Sequence, residues 1–230
     1  MELFVITGDN GASYSLTRSG AIFLIVLSIV LLIIIGFVKS GSRLEKPKPF
    51  SVKQITFSAI AVALSFVLSY VKIWHMPWGG SVTLCSMLFV SLIGYWYGLE
   101  AGLIAGFVYG CLQFIQGGGS YILDPLQACL DYFFAFTALG LTGLFRKLKK
   151  YPFEIGYTVA VLARGALHSL GGYLYWMDYM PDNFPDSLKA VYPIAYNYAY
   201  IIPEMILTLA VISIPPVKKA LARVRNMALD

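Results

Sequence analysis

Charge is scarce in this sequence. Only 13% of its 230 residues are Asp, Glu, Lys or Arg, about half the share in soluble globular domains. Histidine is rarer still, with His75 and His168 alone, and the three cysteines, Cys85, Cys111 and Cys129, show no metal-ligand or redox-pair spacing. No phosphate-cradling GxxxxGK followed by Ser or Thr is present, so the chain carries no ATP site of that kind. No set of Ser, His and Asp suggests a catalytic triad. These shortages argue against a soluble enzyme, a metalloprotein and a disulfide scaffold. What is abundant is apolar surface: 58% of residues are hydrophobic and mean hydropathy is +0.72. The composition is that of an all-α integral membrane protein.

The strongest apolar run is Ala21 to Val38, AIFLIVLSIVLLIIIGFV. It is too long for a signal-peptide core and lacks a basic lead and a small-residue cleavage site, so it reads as a retained membrane helix. Six further spans are expected near Gln54–Val71, Val82–Tyr97, Ala101–Ile115, Pro125–Phe145, Ile155–Trp176 and Ala190–Ile214. Residues 1–20 are then an outer segment, 21–38 an additional helix, 39–53 a basic linker, 54–214 a six-helix core and 215–230 a basic tail. With seven spans and the N-terminus outside, 13 of the 17 Lys and Arg residues fall on the cytoplasmic side and three outside, with Arg164 inside the membrane. That asymmetry orients the chain with its C-terminus in the cytoplasm. The net charge of +5 is accounted for by this placement, and no nucleic-acid partner is expected.

Charged groups inside spans are functional candidates by default, because a bilayer penalises them. Asp131, Arg164, His168 and Glu204 are such groups. Asp124-Pro125 instead reads as a helix cap followed by proline at the first helical position. Asp131 has no capping role; it is a ligand group or a buried partner for a donor such as Arg164. Arg164, His168, Gly172 and Trp176 recur every fourth residue, so they line one helix face. Gly172 either leaves room for a flat ligand or marks a close helix contact. Tyr192, Tyr196 and Tyr200 form a second such row beside Asn197. Trp78 and Tyr121 each sit in a Gly-rich outer loop, as interfacial anchors or as parts of a lid. The outer half of the bundle thus suits a small, flat, cationic molecule, which aromatic faces and an acid would attract. An intramembrane acid–base enzyme using Asp131 and His168, and a purely structural membrane protein, are the competing readings.

Four segments carry a family resemblance: MPWGGSVTL at 76–84, YILDPLQACLDYFFAF at 121–136, HSLGGYLYW at 168–176, and the pair Tyr192 and Asn197. Together they resemble the thiamine-specific substrate-binding component (S-component) of energy-coupling factor transporters. The resemblance spans about Val52 to Ile214. It implies a six-helix bundle with a thiamine pocket near the outer face, and no catalysis or cofactor. The implied pocket residues are Trp78, Tyr121, Asp131, Tyr132, His168, Gly172, Trp176, Tyr192 and Asn197. Trp78 and Trp176 would stack on the ligand rings, while Asp131, His168 and Asn197 would hydrogen-bond the aminopyrimidine. An S-component for a thiamine precursor or another vitamin is the nearest alternative. The resemblance also implies a prokaryotic cell membrane and three partners, a transmembrane scaffold protein and two cytoplasmic ATPases. The scaffold contact would run through Ala59 and Ala63 on the first core helix. Two features depart from the family: Asp131 where members often carry Glu, and the additional helix at Ala21–Val38.

Overall fold

The computed structural model describes residues 5–7, 14–16, 50–77, 79–117 and 123–230. The expected helix at 21–38, most of the basic linker, Trp78 and Tyr121 lie outside the described residues. Near the N-terminus, β1 (Val5–Thr7) pairs antiparallel with β2 (Tyr14–Leu16).

The core is helical, as the composition predicts. Ser51 opens α1 (Val52–Ser69) through a capping box: its hydroxyl accepts from the Gln54 amide, and the Gln54 side chain accepts from the Ser51 amide. A short hairpin follows, β3 (Lys72–His75) with β4 (Ser81–Thr83), turned by Gly79 and Gly80 at φ of 91° and 71°. Only glycine adopts such angles freely. Next come α2 (Ser86–Tyr97), α3 (Leu99–Gln116), α4 (Pro125–Phe145), α5 (Pro152–Tyr175) and α6 (Tyr192–Ser213). Four helical segments, α1, α3, α4 and the stretch ending in α6, are long and apolar enough to cross a membrane. α5 is equally long but carries the polar row of the sequence, which lowers its hydropathy. Apolar side chains such as Ile60, Val67, Phe107 and Ile206 point outward, as they should where lipid is the solvent.

The expected span at Val82–Tyr97 is shorter than its sequence range. Val82 and Thr83 are extended in β4, and the helix begins at Ser86 after Cys85 in the left-handed region. The 12 residues of α2 reach only about 18 Å at 1.5 Å per residue, well short of a bilayer core. The hairpin and its turn take up the rest of that span.

Glycines bring α2, α3 and α4 close together. A methyl group at Gly102 would lie 2.6 Å from Gly94 Cα and 2.8 Å from the Gly140 carbonyl, and one at Gly110 would lie 2.6 Å from the Tyr132 carbonyl. Small residues at such contacts let membrane helices approach backbone to backbone. Gly98, at φ of 100°, is the whole connection between α2 and α3. α4 is not uniformly α-helical: Cys129–Phe134 form a π-turn, and Ala138–Phe145 tighten into a 3₁₀ helix.

The basic tail is also ordered. Pro215 and Pro216 start α7 (Pro215–Leu229), a helix the tail's charge masks in the sequence. Its apolar residues Leu221, Val224 and Ala228 pack on the core, and the Tyr97 hydroxyl donates to the Ala228 carbonyl at 3.1 Å.

Candidate functional site

A cavity of about 240 Å³ opens among the hairpin turn, α3, α4, α5 and α6. It occupies the space the shortened α2 leaves. Asp131, Tyr132, His168, Gly172, Trp176, Tyr192 and Asn197, all expected at the site, line it together.

Asp131 is the centre of the arrangement. Its Oδ2 accepts from Gln127 Nε2 at 2.6 Å and from Trp176 Nε1 at 3.3 Å, while its Oδ1 lies 3.2 Å from His168 Nδ1. The π-turn places it there, since π-turns recur at functional positions in helices. Gly171 makes the approach possible: a Cβ at that position would stand 2.7 Å from Asp131 Oδ1.

Arg164 does not reach Asp131, contrary to one reading of the sequence. His168 stands between them, and Arg164 Nε donates to His168 Nε2 at 3.2 Å. A guanidinium can only donate, so Nε2 holds the lone pair and Nδ1 carries the proton toward Asp131. The row is thus a directed chain, Arg164 to His168 to Asp131, with the positive end buried and the carboxylate facing the cavity. Arg164 is 9% exposed; its guanidinium sits 4.3 Å from the Phe136 ring centroid and donates to Met87 Sδ.

α6 supplies the opposite wall. Asn197 Nδ2 donates to the Pro193 carbonyl at 2.8 Å, and Asn197 Oδ1 accepts from the Tyr200 hydroxyl at 2.8 Å. The amide is therefore held rigidly, with its second N–H hydrogen available. Gly172 is a helix contact, as a Cβ there would meet Pro193 Cβ at 2.8 Å, and the same close approach brings Asn197 opposite the His168 row. Tyr192 packs edge-on to Phe184. The Tyr196 hydroxyl donates to the Gly79 carbonyl at 3.0 Å, tying the hairpin turn to α6. Tyr132 meets Phe114 edge-on.

Two site residues were not evident from the sequence, and a third had no assigned role. Gln127, one turn before Asp131, is a neutral amide, and only its spacing hinted at a partner. Gln113 Nε2 is buried against the cavity and has no hydrogen-bond partner among the described residues. Glu204, whose role the sequence left open, forms the cavity's inner corner. Its Oε2 accepts from the Thr83 amide and its Oε1 from the Ser86 hydroxyl, each at 3.0 Å. A carboxylate there suits the positive end of α2. Asp124 is the cap it was expected to be, accepting from the Leu126 amide at 2.8 Å.

Toward the other end of the bundle the cavity has a solid floor. Val90, Ile93, Leu139, Tyr157, Val161 and Ile212 are all buried there in one apolar cluster. Among the described residues no group of three His, Cys, Asp or Glu side chains could hold a metal.

Known proteins share these features. A curated thiamine transporter ThiT from Bacillus subtilis is 32% identical over 163 residues, covering 65% of this chain and 82% of that protein. A second, from Lacticaseibacillus paracasei, is 29% identical over 174 residues, covering 68% and 83%. The solved structure of ThiT from Listeria monocytogenes superposes with a TM-score of 0.57 at 22% identity, covering 71% of this chain and 94% of that one. That likeness establishes the helical fold. The sequence profile described as "Thiamine transporter protein (Thia_YuaJ)" matches residues 55–223, which include every described element that lines the cavity, and the chain belongs to that family of membrane transport proteins.

Proposed function

We propose that the chain binds thiamine in this cavity and serves as the substrate-specific subunit of an ATP-driven vitamin uptake transporter. The observation that carries this reading is the convergence of Asp131, His168 and Trp176 on one cavity in a chain of the thiamine transporter family. The carboxylate accepts from the ligand's amino group, the amide of Asn197 donates to a ring nitrogen, and the indole of Trp176 stacks on a ring. Tyr132 and Tyr192 line the walls, and Trp78 and Tyr121 are further ligand contacts in this reading. The cationic thiazolium ring is favoured among aromatic faces. The curated relatives are transporters, and the chain is no enzyme.

Transport needs energy from elsewhere, since the chain has no ATP-binding loop. The partners in this reading are a transmembrane scaffold and two cytoplasmic ATPases. Ala59 and Ala63 on α1 are both exposed, which suits a contact with another helix. In this reading the C-terminus lies in the cytoplasm and the cavity faces outward, which the basic residues at 39–53, 146–150 and 218–225 support.

The test is a tryptophan-fluorescence titration of the purified protein in detergent with thiamine, its separate pyrimidine and thiazole halves, riboflavin and biotin. Saturable quenching by thiamine alone is expected. Preference for the pyrimidine half would make a precursor the substrate, and no response to any of the five would remove the reading.

A further inference from the structure

A second groove, of about 590 Å³, lies at the opposite end of the bundle from the cavity. Its walls are the last turn of α2, the start of α5, the end of α6 and one face of α7. Three cations line it, Lys150, Lys218 and Arg225, against one acid, Glu154. Among the described residues none of the three lies within 4 Å of a carboxylate. Arg225 is instead 5.6 Å from the Tyr95 ring centroid. The N-terminus of α5 opens into the same groove without a side-chain cap, because Tyr151 sits in the left-handed region at φ of 50° and offers no oxygen to the first turn. Positive charge and the uncapped N–H groups of Phe153 and Glu154 therefore meet in one place, the combination that holds oxyanions, although Pro152 has no N–H and the Ile155 amide donates to the Tyr151 carbonyl.

The rest of the lining is apolar or aromatic: Leu92, Tyr95, Trp96, Ile212 and Leu221. A pocket for a soluble anion has no use for such a wall. Aromatic rings at the ends of membrane helices mark the headgroup level, and α7 is a basic amphipathic helix whose apolar side packs on the core. We propose that this groove binds the phosphodiester headgroup of an anionic phospholipid. The phosphate lies among Lys150, Lys218, Arg225 and the start of α5, and the acyl chains leave along the apolar surface of the bundle. The proposal does not depend on the ligand of the first cavity.

Native mass spectrometry of the full chain in a neutral detergent tests it, with phosphatidylglycerol and phosphatidylcholine of identical acyl chains. The groove variant is Lys150→Gln with Lys218→Gln and Arg225→Gln. A control of equal charge change is Lys147→Gln with Lys149→Gln and Arg223→Gln. The wild type and the control should retain phosphatidylglycerol at least about tenfold over phosphatidylcholine, and the groove variant should lose that preference. Should the triple variant fail to fold, Lys218→Glu alone, on an exposed side chain, should weaken the preference in the same direction. Equal losses in groove and control variants would reduce the effect to diffuse surface charge and overturn the site. Displacement of the lipid by millimolar inorganic phosphate would also overturn it, by making the groove a small-anion site.

Discussion

Three donors converge on the two oxygens of Asp131, and two of them, His168 and Trp176, come from a different helix. An amide in its place has one acceptor oxygen and turns an N–H toward at least one of those donors. Asp131→Asn is expected to lower thiamine affinity at least about tenfold, given the strength of charge-assisted hydrogen bonds, while the melting temperature in detergent stays close to wild type. Unfolding of the variant would instead make this carboxylate a structural pin. The position was legible in the sequence because a carboxylate inside an apolar run needs a reason. His168 and Trp176 were legible because fourth-residue spacing fixes a common face. The order along that face was not: that His168 intervenes between Arg164 and Asp131 depends on the separation of α4 and α5, which Gly171 sets through tertiary contact. Gln113 and Gln127 escaped notice because a neutral amide costs a membrane helix far less than a charge and leaves a weaker mark.

Elements here are defined by what they exclude. Gly102, Gly110 and Gly140 exclude side chains so that α3 and α4 can touch. Gly140→Val would drive two methyl groups into the Gly102 backbone, so little or no monodisperse protein should survive purification. Recovery of a normal yield would show that α4 can shift outward at small cost. The hairpin takes the place of the first turns of α2, and Glu204 holds that arrangement from α6. Glu204→Gln places an N–H2 group against either the Thr83 amide or Ser86, and should destabilise the fold by about 1–3 kcal/mol, read as a lower melting temperature. Six core helices could be drawn from hydropathy alone. The hairpin could not, because its strands, KIWH and SVT, are too short for an alternating pattern to show. α7 was hidden because its pattern of Leu221, Val224 and Ala228 is surrounded by bases.

At the scale of the molecule, two surfaces are left for others. Ala59 and Ala63 sit on the exposed side of α1, between the outward-facing Ile55, Ile60 and Val67. They touch neither the cavity nor the core, so Ala59→Trp with Ala63→Trp should leave the thiamine titration and the melting temperature unchanged. In cells that co-express the scaffold and ATPases, the same variant should fail to co-purify with them. Retained assembly would move the contact to another face. Composition and charge placement made the membrane setting readable, because both are sums over many residues. The proposed partner surface is local and rests on two alanines that resemble any close-packing pair until their exposure is known.

The solid floor of Val90, Ile93, Leu139, Tyr157, Val161 and Ile212 makes the protein an insulator. Those six buried apolar side chains stand between the cup and the far side, a layer that a bare proton or sodium ion crosses only at high cost. A cell can therefore keep many copies standing in its membrane without discharging the voltage across it. The molecule behaves as a bucket with a sealed base.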